Sequence, residues 1–297
     1  MSRKKLSIII VTYNSEKLIT NCIDSIFEFN DIGDDLEIIV VDNSSKHQEE
    51  LFLMLEKKYY GKLTLIKNLK NGGYGQGNNV GVQASTAPYI MIMNPDVTLF
   101  MSVFKDQIKT FEEHQKIGII GLQQYENIDL VKNDSFIVRM PYISNLILLK
   151  IYRKLNIFNK NFFCFSGACF FIRKSTFLEA GSFDERIFLY GEETDLQYRV
   201  VKRSKANQLI YKKDFGYIHP QHNRDFSSKT YIEGFKSFLI LGETQGISKL
   251  KMKNDIINYY KRLSFLFSFK NKEASSFYKS LIIELEETFK QLQNEKR

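Results

Sequence analysis

The sequence predicts an α/β fold, with a mostly parallel central sheet flanked by helices and a C-terminal helical extension. Three observations predict it. Continuous apolar, β-branched runs recur through the first third of the chain, as strands buried on both faces require. Segments with helical spacing separate them, so strands and helices alternate as βαβ units. From residue 229 onward the pattern is helical throughout.

Residues 6–12 form the first apolar run. Arg3, Lys4 and Lys5 precede it, but the run is short, and Asn14, Glu16 and Lys17 follow without a small-residue cleavage site. It therefore reads as a buried strand rather than a leader. Residues 16–29 place Leu18, Cys22, Ile26 and Phe29 on one helical face, with Ser15 the expected N-cap. Strands are expected at 36–41, 63–67 and 89–93, and helices at 48–59 and 76–84. After Gly121 the rhythm weakens. Residues 123–162 mix charges, Pro141 and the apolar segment 146–149, and take no assignment. Residues 163–172 read as one buried strand and 192–203 as a helix. In the last helix Leu281, Leu285, Phe289 and Leu292 share a face, with Glu284, Glu286, Glu287 and Lys290 off it.

Composition narrows the function classes. The balance of 43% hydrophobic to 26% charged residues is that of a folded chain, not a disordered one. With 25 Phe, 16 Tyr and no Trp, the core leans on phenyl rings. A net charge of +8 suits anionic partners: nucleotide phosphates, acidic lipid or nucleic acid. The three cysteines, Cys22, Cys164 and Cys169, lack CxxC spacing and sit among apolar residues. They read as core fillers in a reducing, cytoplasmic setting. The nearest approach to a membrane span, 143–152, is too short and carries Asn145 and Lys150.

In open parallel sheets, ligands bind at the carboxyl ends of strands. Four polar clusters fall at such ends: Thr12-Tyr13-Asn14, Asp42-Asn43-Ser44-Ser45, the glycine-rich stretch 71–79, and Asn94-Pro95-Asp96. Turn chemistry accounts for any one of them. Four in succession along one edge point to a site.

The strings SIIIVTYNS, EIIVVDNSS, NGGYGQGNNVG and MNPDV, followed by SGACFFIRK, GSFDERIFLYGEETDLQYR and YIH, run in order between residues 6 and 228. Together they resemble glycosyltransferase family 2, and most of all its rhamnosyl- and galactofuranosyltransferase branch. The resemblance implies a Rossmann-like GT-A fold, a nucleotide-sugar donor, a divalent metal (Mg²⁺ or Mn²⁺) and inversion at the anomeric carbon. It implies a catalytic domain over 1–228, with a nucleotide-sugar half at 1–122 and an acceptor half at 123–228. Residues 229–297 then form the helical region.

The residues carry their own chemistry beside the resemblance. Thr12, Tyr13 and Asn14 end the first strand, and Tyr13 offers a ring face to a base. Asp42 accepts a hydrogen bond; it either reads a pyrimidine, as its family counterpart does, or caps the next helix. Because Asn43 and Ser45 are alternative caps, the ligand role is favoured for Asp42, with Asn43 beside it on the donor side. The glycine-rich stretch lacks GxGxxG spacing and does not follow the first strand, so it is no dinucleotide fingerprint. Glycines let backbone N–H groups approach a diphosphate, and family likeness places Gly73, Gly77 and Asn78 near the donor. Asn94-Pro95-Asp96 matches the family's metal motif with Asn94 at its first acidic position. Asp96 is thus the principal expected metal ligand, with Asn94 beside it and His219 the supplementary ligand that the family implies. His222 makes an HxxH pair with His219, without the further ligands a zinc site needs. Removal of the acceptor proton calls for a carboxylate. Glu192, Glu193 and Asp195 crowd into four residues, and Glu193 aligns with the family's base, where Asp is usual. Asp195 and Arg199 lie four apart and are expected to pair. The resemblance implies that Ser166, Gly167 and Ala168 leave room for the donor sugar or acceptor, among phenylalanines that read as core packing.

The expected reaction is transfer of a sugar, with dTDP-rhamnose first and UDP-linked sugars next, to an acceptor hydroxyl in cell-surface glycan synthesis. A nucleotidyltransferase is the first alternative, but it needs a basic, glycine-rich loop after the first strand, where Thr12-Tyr13-Asn14 offers none. A non-catalytic basic binder of membrane or nucleic acid is the second, and the ordered acidic motifs speak against it. In the C-terminal region, Tyr259 to Lys272 is rich in basic and aromatic residues. It suits packing on the catalytic domain or a second copy of the chain, or contact with a membrane surface.

Overall fold

The computed structural model describes residues 4–140, 142–220 and 227–294. Strands β1 (Leu6–Thr12), β2 (Leu36–Asp42), β3 (Thr64–Lys67) and β4 (Tyr89–Met93) alternate with helices α1 (Ile19–Glu28), α2 (Gln48–Lys58) and α3 (Tyr74–Ala84). Next come β5 (Thr98–Leu99), α4 (Phe104–Glu113), β6 (Ile117–Tyr125), β7 (Phe136–Val138) and α5 (Ile143–Leu155). They are followed by β8 (Phe163–Phe165), β9 (Cys169–Arg173), α6 (Lys174–Glu179), α7 (Glu192–Arg203) and β10 (Gln208–Ile218). Helices α8 (Ser228–Thr244), α9 (Lys249–Ser268) and α10 (Lys272–Asn294) close the chain.

One sheet of order β3-β2-β1-β4-β9-β6-β10-β5 runs through residues 6–218. β1 pairs in parallel with β2 on one side and β4 on the other, so the strand order reverses there. That reversal leaves a crevice at the carboxyl ends of β1, β2 and β4. β9 runs antiparallel between β4 and β6, and β5 runs antiparallel to β10. β1 is buried along its whole length because helices cover both faces. Ile8, Ile10 and Phe104 fill one side of the sheet, and Ile9, Val41 and Phe170 fill the other.

Several expectations change. The run at 163–172 is two strands, not one. Ser166, Gly167 and Ala168 break it, so that β8 pairs with β7 in a separate two-stranded sheet while β9 enters the main sheet. Both pieces are buried phenylalanine-rich strands, so composition alone does not mark the break. α1 starts at Ile19, three residues later than expected. The Ser15 carbonyl receives the Leu18 and Ile19 N–H groups, while its hydroxyl bonds Tyr13 O at 3.2 Å, so the side chain does not cap the helix. α3 starts two residues earlier than expected, at Tyr74. The division between residues 122 and 123 falls inside β6, and one sheet runs through both halves.

The C-terminal helices form their own apolar cluster around Phe235, Leu239, Met252, Leu281 and Leu285, which also takes in Met140. They rest on the sheet-bearing part of the chain: Ser237 Oγ donates to Leu189 O at 2.9 Å, and Arg186 pairs with Glu243 at 3.1 Å. Phe265, Leu266 and Phe269, near the α9–α10 turn, stay exposed. No helix among the described residues is long and apolar enough to cross a membrane.

Candidate active site

Two cavities open at the sheet's carboxyl edge. The first, of about 560 Å³, is lined by Thr12, Tyr13, Asn43, Gly73, Asn94 and Asp96, with Phe188 and Lys229 on its rim. The second, of about 300 Å³, is lined by Ser166, Gly167, Ala168, Glu192, Glu193 and His219. Tyr74, Asn94 and Leu189 belong to both.

Asp96 from the first cavity and His219 from the second meet at 3.3 Å, carboxylate Oδ1 to Nε2. They come from distant parts of the chain. Asp96 sits in the turn after β4, and His219 follows β10, held by its N–H to Tyr125 O at 2.8 Å. Asn94 is fixed by its N–H to Ala168 O at 2.8 Å. Its side-chain Oδ1 is buried with no partner among the described residues, as is His219 Nδ1. A buried amide oxygen without a donor is costly unless something else satisfies it. A carboxylate oxygen and an imidazole nitrogen this close suit neighbouring positions on one small cation, whose cis ligands lie about 3 Å apart. Among the described residues no cluster of three His, Cys, Asp or Glu exists. The donor set therefore fits a hard ion completed by ligand oxygens, not a closed zinc site. His222 lies outside the described residues.

The acidic cluster divides by environment. Glu193 lines the second cavity and packs against Gly167, whose added Cβ would lie 3.5 Å from the Glu193 Cδ. Glu192 is 5% exposed. Burial first, then the Glu193 charge beside it, pushes its carboxyl well above the usual range. Asp195 is fully buried and does not reach either cavity; its Oδ2 accepts from Arg199 Nη2 at 2.5 Å and Nε at 2.8 Å. The structure thus takes Asp195 out of the candidate catalytic set and gives it the pairing role. Replacing Arg199 with Ala leaves Asp195 as a buried, unpaired charge and should destabilise the fold by about 3–5 kcal/mol. Denaturant melts of the variant measure this, and a loss near zero would refute the pairing role. For Glu192 the raised value means that stability is fully present below the unfolded carboxylate range and falls as pH rises toward the folded value. Glu192→Gln should therefore raise the melting temperature more at pH 8 than at pH 5. An equal gain at both would contradict the burial argument.

Other expected donor residues turn out to build the walls. Asp42 is fully buried. Its Oδ2 accepts from Thr12 Oγ1 at 2.8 Å and Ser45 Oγ at 2.6 Å, and its Oδ1 accepts from Ser45 N at 2.9 Å and Gln48 Nε2 at 2.6 Å. Four acceptor positions are thereby filled from within the protein. This geometry makes Asp42 the anchor of the 42–45 turn and not a helix cap, since α2 is entered through His47 without any side-chain cap. Asn14 adopts φ 51° and ties two loops together: its N–H donates to Ser45 Oγ and its Oδ1 accepts from Lys46 N. Gly77 is where α3 approaches the sheet; an added Cβ would sit 2.7 Å from Val11 Cγ1 and Asn43 Oδ1. Asn78 is fully buried, with its Nδ2 bonded to Tyr74 O at 2.9 Å. Neither lines a cavity, so their glycine-loop spacing reflects helix–sheet packing. Gly73 does line the first cavity. It has φ 91°, and a Cβ there would strike Phe188 O at 2.1 Å, so only glycine fits. Asn43 Nδ2 holds the Gly73 carbonyl at 2.9 Å.

Three contributors escaped the sequence reading. Tyr74 stands between the cavities, its hydroxyl on Gly167 O at 3.0 Å. Leu189 is shared by both cavities, and Lys229 is a cation at the start of α8 facing the first. An aromatic residue inside a glycine-rich stretch was the available signal for Tyr74; no local pattern marked the other two.

The profile of the family described as glycosyl transferase family 2 matches residues 7–179, more than half the chain and most of the sheet. The chain belongs to glycosyl transferase family 2. Among the chain's curated relatives, rhamnosyltransferase WbbL of Escherichia coli K12 is 27% identical over 249 residues, covering 77% of this chain and 89% of that protein. The poly(ribitol-phosphate) β-N-acetylglucosaminyltransferase TarS of Staphylococcus aureus is 31% identical over 113 residues, 37% of this chain and 19% of that protein. The match thus spans about a fifth of the length of TarS. Solved structures place the fold as GT-A. TarS 1–349 in complex with UDP superposes with a TM-score of 0.58 at 15% identity, covering 92% of this chain and 75% of that one. The mannosyltransferase PcManGT of Pyrobaculum calidifontis, with GDP-Man and Mn²⁺, gives 0.59 at 14% identity, covering 95% and 74%.

Proposed function

We propose that this transferase moves a sugar from a nucleoside diphosphate to an acceptor hydroxyl in a single inverting displacement. The observation that carries the reading is the junction of the two cavities, where Asp96 and His219 meet and Tyr74 and Asn94 are shared. The donor lies in the first cavity, with its base toward the exposed ring of Tyr13 and its diphosphate toward Asp96. The acceptor enters the second, beside Ser166, Gly167 and Ala168. The transferred sugar sits between them. On this reading residues 1–122 supply the donor side, 123–228 the acceptor side and 229–297 the helical support.

Glu193 takes the proton from the acceptor hydroxyl as its oxygen bonds the anomeric carbon; the bond to the diphosphate oxygen breaks and that oxygen keeps the electron pair. Asp96, His219 and Asn94 would hold a divalent cation, Mg²⁺ or Mn²⁺. When bound, such an ion supplies positive charge to the departing diphosphate. Asp42 acts from behind, fixing Thr12 and Ser45; contact with a pyrimidine requires it to exchange one partner, and Gln48 is the most accessible of them. Burial, and then the Glu193 charge beside it, favours the neutral form of the Glu192 carboxyl, which leaves Glu193 as the carboxylate assigned to accept the proton.

For the donor, dTDP-rhamnose is placed first because the likeness to WbbL extends over most of both chains. UDP-sugars come next, on the likeness to TarS and to the poly(ribitol-phosphate) β-glucosyltransferase of Bacillus spizizenii. The product is a cell-surface glycan. The three buried free thiols suit the cytoplasm. The exposed Phe265, Leu266 and Phe269 are what the C-terminal helices leave for a second copy of the chain or a membrane. The test is a panel of nucleotide sugars assayed for nucleoside diphosphate release with acceptor, with and without divalent metal. Release with dTDP-rhamnose or a UDP-sugar supports the reading, and no release with any nucleotide sugar would end it.

A further inference from the structure

The surface of α5 joins exposed aliphatic side chains to a stretch of sequence free of acidic residues. Residues 135–178 contain no Asp or Glu, yet include Arg139, Lys150, Arg153, Lys154, Lys160, Arg173 and Lys174. Within this stretch α5 turns one face inward: Leu149 is buried, and Arg153 is tied to Asp134 at 2.6 Å and to Phe136 O at 2.8 Å. The opposite face leaves large apolar side chains in solvent: Ile147 at 59% exposure, Ile151 at 49% and Leu155 at 61%, with Ile157 beyond the helix end at 51%. At 3.6 residues per turn, Lys150, Lys154, Ile147, Ile151 and Leu155 occupy one arc of about 140°. Lysines form one edge of that arc and aliphatic residues the other. Singly exposed apolar residues are ordinary; a contiguous stripe spaced at i, i+4 and i+8 is not.

We propose that this face of α5 seats on an anionic lipid surface, with Ile147, Ile151 and Leu155 entering the headgroup boundary and Lys150 and Lys154 meeting lipid phosphate. A basic helix with an aliphatic stripe is the chemistry that such a surface recognises. Charge decides against a second copy of the chain as the occupant. A two-fold contact would set this acid-free basic stretch against itself. A soluble polyanion would use the lysines but give no reason for the exposed isoleucines. The position matters for catalysis, because α5 packs on β7, whose Ile137 and Val138 line the second cavity. Docking here would set that cavity close to the lipid surface.

The test is flotation of the whole chain with vesicles of phosphatidylcholine alone or mixed with phosphatidylglycerol. The wild type should float with the mixed vesicles. A triple variant, Ile147→Ser, Ile151→Ser and Leu155→Ser, should bind them about tenfold more weakly or worse. A double variant, Lys150→Glu and Lys154→Glu, should lose the preference for the anionic lipid. All these side chains are exposed, so unchanged thermal melts are expected and serve as the folding control. Each of these results would overturn the proposal: no wild-type flotation; wild-type flotation of both variants; binding lost in Phe265→Ser/Phe269→Ser instead, which places the contact on the C-terminal helices; or a dimer in light scattering that the triple variant dissolves. Flotation that depends on the lysines but not on the aliphatic stripe would mark a polyanion site and equally refute it.

Discussion

Asp96→Ala should lower turnover by about three orders of magnitude or more and weaken nucleoside diphosphate binding measured in the presence of Mn²⁺. The carboxylate stands at the junction of both cavities, 3.3 Å from His219 and in the turn that carries Asn94. Charge on a departing diphosphate needs a compensating charge held in place before reaction, and such interactions contribute several kcal/mol to the barrier, about a thousandfold in rate or beyond. Asp96→Asn keeps the shape and loses the charge, so it should fall close to the alanine variant. Metal-dependent turnover within a few-fold of wild type in either would remove Asp96 from the site.

Glu193→Gln should keep donor affinity and lose transfer by about 10²–10⁴-fold. The side chain lies across Gly167 on the acceptor side, apart from the base and diphosphate positions. An amide matches its size but accepts no proton, so the loss should fall on kcat, with little change in nucleotide binding measured by calorimetry. Near-normal transfer would move the base to Glu192, the remaining carboxylate lining that cavity. Asp195 is not a substitute, because its carboxylate is committed to Arg199.

How much of this was legible follows from what each residue is buried against. β1, β2 and β4 were readable because strands covered on both faces are nearly continuous apolar runs, and their polar ends marked the crevice. α7 was readable because its acidic first turn and the Asp195–Arg199 spacing are local features. α5 was not, because its aliphatic residues lie on exposed and buried faces alike, which blurs the helical period. β10 hid because Lys212, Lys213 and Asp214 interrupt it at a register shift. Spacing within the glycine-rich stretch does not separate Gly73, which lines the first cavity, from Gly77, which packs on the sheet. Glycine serves close helix–sheet packing as readily as phosphate approach, and only the position of Val11 and Asn43 shows that Gly77 does the former. Asp42 presented the same ambiguity between ligand and cap, and its four internal hydrogen bonds were invisible until Thr12 and Gln48 were placed around it.

The measurement closest to the central claim is anomalous scattering from crystals grown with Mn²⁺ and either UDP or dTDP. One strong manganese peak is expected between Asp96 and His219, with the nucleoside in the cavity beside Tyr13. A peak at any other carboxylate, or a nucleotide bound away from that crevice, would contradict it.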